Sequence, residues 1–380
     1  MTKSIDNMKK SIEIFHLQNL AIIEIIGKDA KKFLQGLITN DINKINDSSL
    51  NFGCLLNANS RFLGEFFITE IYPENSLNSD DYSGSEIKIL MILSKKNLEE
   101  IIKKLNFFRL RNQVKIQKNN DLKIIYSFDE INLKNFEFAL QSQLQSELII
   151  NTKTELESHL KNHLDIKKFK DPRSNKMGYF GLVNCDIFSP EINGNKNFKI
   201  IDNNFYEHVN FYHQKRIENK ICEGEFDLDL EKSFIQEFGY DDLFAIDYLK
   251  GCYVGQEVIA RNHHRGEIRK KIFYLEFELK DFNKDFNFEF EEQSNNLNFI
   301  SYHQNLQNNL FDLTFNSKTC GKILSCVFSK NNHQIFKFQA LAQIKFDENL
   351  ASNNLTLSNL NLENLKKDLK INDNQVIILR

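Results

Sequence analysis

One short stretch of the chain combines residue types that could do chemistry. From Lys250 to Lys271 the sequence reads KGCYVGQEVIARNHHRGEIRKK, with Cys252 between two glycines and two residues after a lysine. Glycine permits backbone angles that other residues avoid, so Gly251 and Gly255 predict a tight turn that holds Cys252 at a fixed position. The next segment reads as the start of a helix, with Glu257 in its first turn, where an acidic residue is favoured.

These surroundings predict a reactive thiol at Cys252. The N-terminus of a helix and the ammonium group of Lys250 both favour the thiolate, which is the form that attacks electrophiles and binds metals. A plainer interpretation is a small apolar side chain that fills a turn, and the spacing alone leaves both open. His263 and His264 follow in the helix, but a metal site needs more ligands at compatible distances, so no metal site is predicted.

A cluster of basic residues follows the turn. Its members are Arg261, Arg265, Arg269, Lys270 and Lys271. The cluster could receive an anion such as a phosphate or a polyglutamate tail, and it could equally form a solvated charged face.

The bulk composition narrows the class of protein. A length of 380 residues indicates two or three domains. The net charge of −3 excludes a global basic field, so no direct nucleic-acid binding is expected. No apolar run approaches the roughly 18 residues of a membrane span, and six scattered cysteines without a CxxC pair or a secretory signal indicate reduced thiols. We therefore expect a cytoplasmic monomer that does not contact a membrane.

The elements that must position the cysteine are of mixed type. Strand-like and helix-like segments alternate, and a hairpin interrupts them, which indicates an α+β fold with a small all-β domain at the C-terminus. Two polar segments, 72–86 and the Asn-rich 281–310, are predicted as loops. The predicted strands are 20–26, 51–57, 87–93 and 272–279, and the predicted helices follow Asp29 and span 95–110 and 205–221.

The cysteine motif resembles the signature K-G-C-[FY]-x-G-Q-E of the YgfZ family of folate-binding proteins. These proteins are relatives of the aminomethyltransferase (T-protein) of glycine cleavage, and they support iron–sulfur cluster assembly or repair. The continuation ARNHHRGEIRKK looks more like the mitochondrial, Iba-type and alphaproteobacterial branch than the enterobacterial one. The matching positions are Lys250, Gly251, Cys252, Tyr253, Gly255, Gln256 and Glu257.

The resemblance covers most of the chain. IIGKDAKKFLQGLITNDI resembles the family's opening, CLLNANSRFLGEFFI its first hairpin, and EFGYDDLFAIDYLKGC the approach to the signature. Asn59-Ser60 stands where the family hairpin usually has Gly, and Lys220-Ile221-Cys222 stands where a second turn usually has Gly-Ile-Pro, so we expect both turns to be looser. By the resemblance, the fold is a three-lobed ring of two interleaved α+β lobes over 1–270 and a C-terminal β-barrel over 271–380, with 281–310 as an insertion.

The resemblance also implies a cofactor. Tetrahydrofolate, or a one-carbon derivative of it, would lie in the central hole of the ring. The residues implied as its contacts are Arg111, Arg216, Asp247 and Arg261.

Two classes of function follow. The leading hypothesis is a tetrahydrofolate-binding accessory protein for 4Fe–4S cluster assembly or repair, with Cys252 and Lys250 as its working pair. It would act with the iron–sulfur assembly machinery or with client enzymes, including tRNA-modifying ones. One thiol cannot hold a cluster alone, because clusters ordinarily take four thiolates.

The competing hypothesis is a folate-dependent aminomethyltransferase of glycine cleavage. Such an enzyme needs a carboxylate near the folate nitrogens. Glu99 or Glu100 could supply it, although both also fit a solvated helix face. Folate-dependent tRNA methylation is a third hypothesis, which the acidic net charge does not favour.

Overall fold

The structure is a computed structural model that describes most of the chain. The predicted loop 72–86 and most of the segment 281–310 lie outside the described residues. The described residues are 12–71, 88–147, 166–184, 198–202, 206–266, 268–280, 298–301, 312–315, 318–330, 335–345, 369–371, 375–376 and 378–379.

Five α-helices and three short 3-10 helices fall within these ranges. None of them combines the length and the apolar character that crossing a membrane requires. The α-helices are α1 (Ala30–Gln35), α2 (Leu98–Arg109), α3 (Glu130–Glu147), α4 (Tyr206–Glu218) and α5 (Gln256–Arg265). The 3-10 helices are η1 (Ile42–Lys44), η2 (Lys95–Asn97) and η3 (Ile235–Phe238).

Eighteen strands in the described residues form three sheets. The strands of sheets I and II are β1 (Ile12–His16), β2 (Leu20–Ile26), β3 (Asn51–Leu56), β4 (Phe62–Ile71), β5 (Lys88–Ser94), β6 (Lys115–Asn119), β7 (Leu122–Ser127), β8 (Lys167–Lys170), β9 (Tyr179–Asn184) and β10 (Phe198–Asp202). The strands of the C-terminal part are β11 (Lys270–Lys280), β12 (Asn298–Ser301), β13 (Asp312–Phe315), β14 (Lys318–Lys330), β15 (Ile335–Lys345), β16 (Leu369–Ile371), β17 (Gln375–Val376) and β18 (Ile378–Leu379).

The three sheets differ in strand order and in the direction of their strand pairs. Sheet I has the order β10-β1-β7-β9-β8, with β1 parallel to β10 and its other pairs antiparallel. Sheet II is antiparallel with the order β3-β4-β5-β2-β6, so all its strands fall between β1 and β7 in the chain. Sheet III has the order β17-β16-β13-β14-β15-β11-β18, with β12 on β14. The predicted α+β class is confirmed, and the ring and the closed barrel stay predictions.

The apolar run of β2 shows why sheet II forms. Both faces of this strand are covered, which explains its nearly continuous hydrophobic sequence. Ile23 and Ile25 pack in one layer with Phe33 of α1 and Ile101 of α2, whereas Ile22 faces the core shared with sheet I. Each fully buried side chain of this kind contributes about 1.5–3 kcal/mol. The predicted strands at 20–26 and 87–93 and the predicted hairpin agree with β2, β5 and the β3–β4 pair.

Two turns keep a left-handed conformation although they lack glycine. Ser60 has a φ of 61° and Lys220 a φ of 59°. Each turn is closed by a backbone hydrogen bond, from Ser60 N to Asn57 O at 2.9 Å and from Ile221 N to Arg216 O at 2.8 Å. The expectation of looser turns is therefore wrong, because both residues adopt the conformation that glycine favours. That conformation costs a non-glycine residue about 1–2 kcal/mol.

The strain at Lys220 gives a first prediction. Replacing Lys220 with glycine should raise the free energy of unfolding by about 1 kcal/mol, because glycine has no Cβ to clash at positive φ. Urea denaturation measures the change. Lys103→Gly, in the interior of α2, is the matched control and should lower the same quantity by about 0.5–1 kcal/mol. Equal destabilisation by both changes would contradict the strain at Lys220.

Candidate functional site

The Lys250 side chain attaches the cysteine loop to the end of α1 and to the turn that follows it. Its Nζ donates hydrogen bonds to the carbonyl oxygens of Gln35, Ile38 and Asn40 at 2.9, 2.6 and 2.8 Å. An ammonium group has three N–H donors, so all three are used at the end of α1 and in the turn that follows it. Lys250 therefore anchors the loop, and it has no N–H left for the thiol of Cys252.

The charge of Lys250 is compatible with this anchor. Burial lowers the pKa of Lys250 from 10.5 to about 8, although the nearby carboxylates of Asp41 and Asp247 oppose the shift. The group is still mainly protonated at neutral pH, as three carbonyl partners require. The ring of Tyr253 lies 5.0 Å from the same Nζ and adds a cation–π contact.

The segment before the loop is held by a second set of contacts. Thr39 Oγ1 donates to Ala245 O at 2.6 Å, and Asn40 Nδ2 donates to Phe244 O at 2.9 Å. In return, Asp247 N donates to Thr39 O at 3.0 Å. The LITND segment and the approach to the signature are thus one structural unit, although about 200 residues separate them in the chain.

The end of the loop is fastened to the β3–β4 turn. Val254 N donates to Gly36 O at 3.0 Å, and Ser60 Oγ donates to Gly255 O at 2.5 Å. Gly255 has a φ of 82°, and a Cβ at this position would lie 2.5 Å from Asn57 O. Only glycine fits here without displacing the turn.

The side chain of Cys252 is exposed to solvent. By contrast, the side chains of Cys54, Cys222, Cys320 and Cys326 are buried. Of the two glycines predicted to need special backbone angles, Gly255 does, but Gly251 does not. Gly251 lies outside the left-handed region and would have nothing within 4 Å of an added Cβ. The interpretation of Cys252 as an apolar filler is therefore wrong, since the thiol projects from a firmly attached loop.

Helix α5 begins four residues after the cysteine. Its first residue, Gln256, accepts a hydrogen bond from Tyr253 N at 3.1 Å through Oε1. Glu257 is exposed and pairs with Arg261 at 2.7 Å along the helix, and His263 stacks on Tyr248 at 3.6 Å. Within the part of the chain that the structure describes, no three His, Cys, Asp or Glu side chains could together hold a metal ion.

Three of the predicted folate contacts lie at or near the surface. Arg111 is exposed beyond the end of α2. Asp247 pairs with Lys44, which lowers the pKa of Asp247 against the effect of its partial burial. Arg261 is engaged by Glu257 in α5. Each of the two engaged residues thus has its own protein partner, and the assignment of these residues to folate stays a prediction.

The fourth predicted contact, Arg216, belongs to an internal network. It is fully buried and donates to His213 Nδ1 at 2.8 Å, to Asp227 Oδ2 at 2.7 Å and to Ser325 Oγ at 3.0 Å. Burial and the adjacent Arg216 hold the pKa of His213 well below its usual 6.5, so the ring accepts this bond as a neutral group. These bonds engage Nε and both terminal nitrogens of Arg216 with protein partners.

Arg173 forms the second half of this network. Its guanidinium donates to Glu223 Oε1 at 2.6 Å, to Asp171 Oδ2 at 2.8 Å and to the Tyr212 hydroxyl at 2.9 Å. Burial alone would raise the pKa of Glu223, but Arg173 and Arg216 outweigh it and lower that pKa. The carboxylate of Glu223 therefore stays ionised between two arginines.

Glu65 of β4 lies beside these charges. Gly224 N donates to its Oε1 at 2.8 Å, and the Tyr240 hydroxyl donates to its Oε2. Burial and the nearby charge of Glu223 raise the pKa of Glu65 from 4.5 to about 7. Its carboxyl group is thus largely protonated in mildly acidic solution.

We call this group the central polar network, and it joins β4 of sheet II, β14 of sheet III, the turn between β8 and β9, helix α4 and the segment after it. Sequence analysis missed most of it, although two signals were present. Glu65 is the one acidic residue within the apolar strand FLGEFFI. Asp171 and Arg173 are two residues apart, a spacing at which their side chains can form an ion pair. The network consists of Glu65, Asp171, Arg173, Arg216, Glu223, Asp227 and Ser325.

The carboxylates considered for aminomethyl transfer lie elsewhere. Glu99 and Glu100 are exposed in the first turn of α2. Glu100 lies 3.3 Å from Lys104 in an (i, i+4) ion pair. Both residues therefore occupy the solvated helix face that was the alternative interpretation.

Curated relatives of the chain share one name. The chain is 24% identical over 282 residues to "Iron-sulfur cluster assembly factor IBA57 homolog, mitochondrial" of Mycosarcoma maydis, covering 72% of this chain and 59% of that protein. The proteins of the same name from Dictyostelium discoideum and Coccidioides immitis are 28% and 27% identical, over 73% and 67% of this chain. These relatives are iron–sulfur cluster assembly factors. The chain spans only 59%, 65% and 55% of the Mycosarcoma, Dictyostelium and Coccidioides proteins, and no family model matches it.

A solved structure supports the predicted fold. The glycine cleavage system aminomethyltransferase T of Bartonella henselae superposes with a TM-score of 0.53, covering 86% of this chain and 84% of that one at 10% identity. An identity this low shows the fold alone, which is aminomethyltransferase-like. The resemblance to Iba-type factors and to the T-protein fold is thus confirmed at this coarser level. The predicted cytoplasmic location is wrong, because the curated relatives are mitochondrial proteins.

The two glycines of the loop should respond differently to substitution. Gly255→Ala should lower the free energy of unfolding by about 1–3 kcal/mol, because it adds both strain at positive φ and a clash with Asn57. Gly251→Ala should change it little, since its Cβ would enter open space. Thermal and urea unfolding measure both variants, and equal effects would contradict the loop geometry.

Glu65 gives a prediction about pH. Between about pH 4.5 and 7 the folded protein keeps a proton on Glu65 that the unfolded chain has lost. The wild type should therefore lose stability relative to Glu65→Gln as the pH rises through this window, and the difference should level off above it. Urea denaturation at several pH values measures the difference, and a constant difference between pH 4.5 and 7 would show that Glu65 titrates normally.

Proposed function

We propose that this protein is a mitochondrial accessory factor for iron–sulfur cluster assembly that presents Cys252 to iron–sulfur proteins. The observation that carries the proposal is the exposed thiol on a loop that is hydrogen-bonded to the end of α1, to the turn after it and to the β3–β4 turn. The names of the curated relatives support the role in cluster assembly. Within this proposal, Lys250 holds the loop in place and Cys252 alone meets the partner.

The chemistry of the exposed thiol fits a transient step. A thiolate is the usual ligand of iron in such clusters, and four are ordinarily needed. Cys252 would supply one of them while the partner protein supplies the rest. The fixed loop keeps the thiol in one position, so little conformational entropy is lost when the partner binds.

The finer parts of the proposal rest on the resemblance. They are membership in the YgfZ family, the ring with its closed barrel, service to 4Fe–4S enzymes including tRNA-modifying ones, and binding of tetrahydrofolate. The aminomethyltransferase-like fold supports folate binding. The four predicted contacts do not form one donor set, since Arg216 is fully buried, so no step of the proposed function passes through folate.

Cys252→Ser tests the role of the thiol. Serine keeps the size of the side chain but is a much weaker ligand for iron, so the variant should fail to restore 4Fe–4S enzyme activity in cells that lack the protein. Gly251→Ala is the matched control, because it changes the same exposed loop and leaves the thiol intact. It should restore activity to the wild-type level.

One outcome of this test would contradict the proposal, and one further measurement separates the thiol from folate. Full restoration by Cys252→Ser would remove the thiol from the function. Titration with tetrahydrofolate should give the same affinity for the wild type and for both variants. If tetrahydrofolate does not bind the wild type, the folate part of the proposal is wrong while the thiol part stands.

A further inference from the structure

Two large apolar side chains are exposed to solvent near the cysteine loop. Leu249 precedes Cys252 by three residues and is 93% exposed, and Phe244 is 70% exposed. Leu249 is the most exposed of the large apolar side chains that the structure describes. Single apolar residues on a surface need no explanation, whereas neighbouring ones that form a patch often mark an interaction site. We call Phe244 and Leu249 the apolar rim.

Both residues of the apolar rim are close to the thiol. Asn40 Nδ2 donates to the carbonyl oxygen of Phe244 at 2.9 Å, and the carbonyl oxygen of Asn40 accepts from Lys250 Nζ at 2.8 Å. Phe244 is therefore held by the same residue that anchors the cysteine loop. Leu249 is adjacent to that anchor in the chain, and three residues span at most about 11 Å. The apolar rim and Cys252 thus belong to one region of the surface.

The backbone of Phe244 is strained, and its ring is nevertheless presented to solvent. Its φ is 56°, in the left-handed region that bulky residues rarely adopt. The neighbouring residues Leu243 and Ala245 are buried, so the surrounding structure holds this conformation. Strain of this kind persists only where the structure enforces it, and it is concentrated at functional sites.

A partner that shares a cluster with Cys252 must come close to the apolar rim. The proposed function gives Cys252 one of four thiolate positions and the partner the other three. Because a cluster is in direct contact with its ligand sulfurs, the partner's surface has to approach the thiol closely. Side chains that project into solvent beside Cys252 then lie between the two proteins.

The charged side chains that border the loop are already matched. Lys44 pairs with Asp247, and Arg261 pairs with Glu257 at 2.7 Å. These pairs offer a partner no unmatched charge, whereas covering the apolar rim removes apolar surface from water. The cores of protein interfaces are typically depleted of charges and enriched in aromatic side chains. The partner surface that fits the rim is therefore apolar.

We propose that the apolar rim docks an iron–sulfur protein through an apolar surface beside that protein's cluster-binding cysteines. This inference rests on the proposed function and names the chemistry of the partner. Cys252 supplies one ligand to the cluster, and Phe244 and Leu249 supply contacts that hold the two proteins together.

Leu249→Asp and Phe244→Asp test the rim. Each variant places a carboxylate where the partner would bury it, so the complex should weaken about tenfold or more. In cells that lack the protein, each variant should need about tenfold higher expression than the wild type to restore 4Fe–4S enzyme activity. Urea denaturation should show no loss of stability, because both side chains are exposed and Asp tolerates a positive φ better than Phe.

Ile131→Asp is the matched control. Ile131 is 60% exposed in the first turn of α3, and α3 packs on the face of sheet I that is turned away from sheet II. This variant should restore activity at the wild-type level of expression. An equal loss in all three variants would reveal a general effect of added charge and would overturn the proposal.

Two further outcomes separate the rim from the thiol and from self-association. If Cys252→Ser fails while both rim variants restore activity like the wild type, the docking surface is wrong and the proposed function stands. Sedimentation of the purified full chain should give the same mass for the wild type and Leu249→Asp. A wild-type dimer that Leu249→Asp converts to a monomer would mean that the rim joins two copies of this chain, which overturns the proposal.

Discussion

Two arginines inside the protein impose the main constraint on its architecture. Arg173 and Arg216 are both buried, and each is surrounded by carboxylates and hydroxyls from other elements. Removing one partner of a buried ion pair typically costs about 3–5 kcal/mol, a large part of the roughly 5–15 kcal/mol that stabilises a whole domain. The chain can bury these charges only when the β8–β9 turn, α4, the segment after α4 and strand β14 are correctly placed around them.

This constraint explains how an exposed cysteine can be held so firmly. Sheet II is fixed against the rest of the molecule through Glu65, and α1 is packed on the far layer of the same sheet. The cysteine loop is then attached to the end of α1 and to the β3–β4 turn. The buried interior therefore supplies the free energy that stabilises the fold. The loop need not bury its own side chains, so Cys252 and Leu249 stay accessible to a partner, and Leu249 is 93% exposed.

The local parts of this arrangement could be predicted from the sequence. The apolar run of β2, the hairpin, α5 and the need for Gly255 all follow from patterns within a few residues. The role of Lys250 could not be predicted in this way, because its three carbonyl partners lie more than 200 residues earlier. The resemblance implied Arg216 as a folate contact, yet this residue is fully buried and bonded to Asp227 and Ser325. The expected cytoplasmic location rested on cysteine usage and bulk composition, which did not indicate the mitochondrial relatives.

In the sequence, all strands of sheet II lie between β1 and β7 of sheet I. This order affects how the protein folds during synthesis. All strands of sheet II have been synthesised once β6 is complete at Asn119, so this sheet can form before the rest of sheet I is available. Strand β1 must wait, because its neighbour β7 follows and its parallel partner β10 ends only at Asp202. Pairings between such distant segments form slowly, and an unpaired strand edge invites association with other chains. During synthesis, β1 would thus keep an unpaired edge that can bind other chains until β10 has been made.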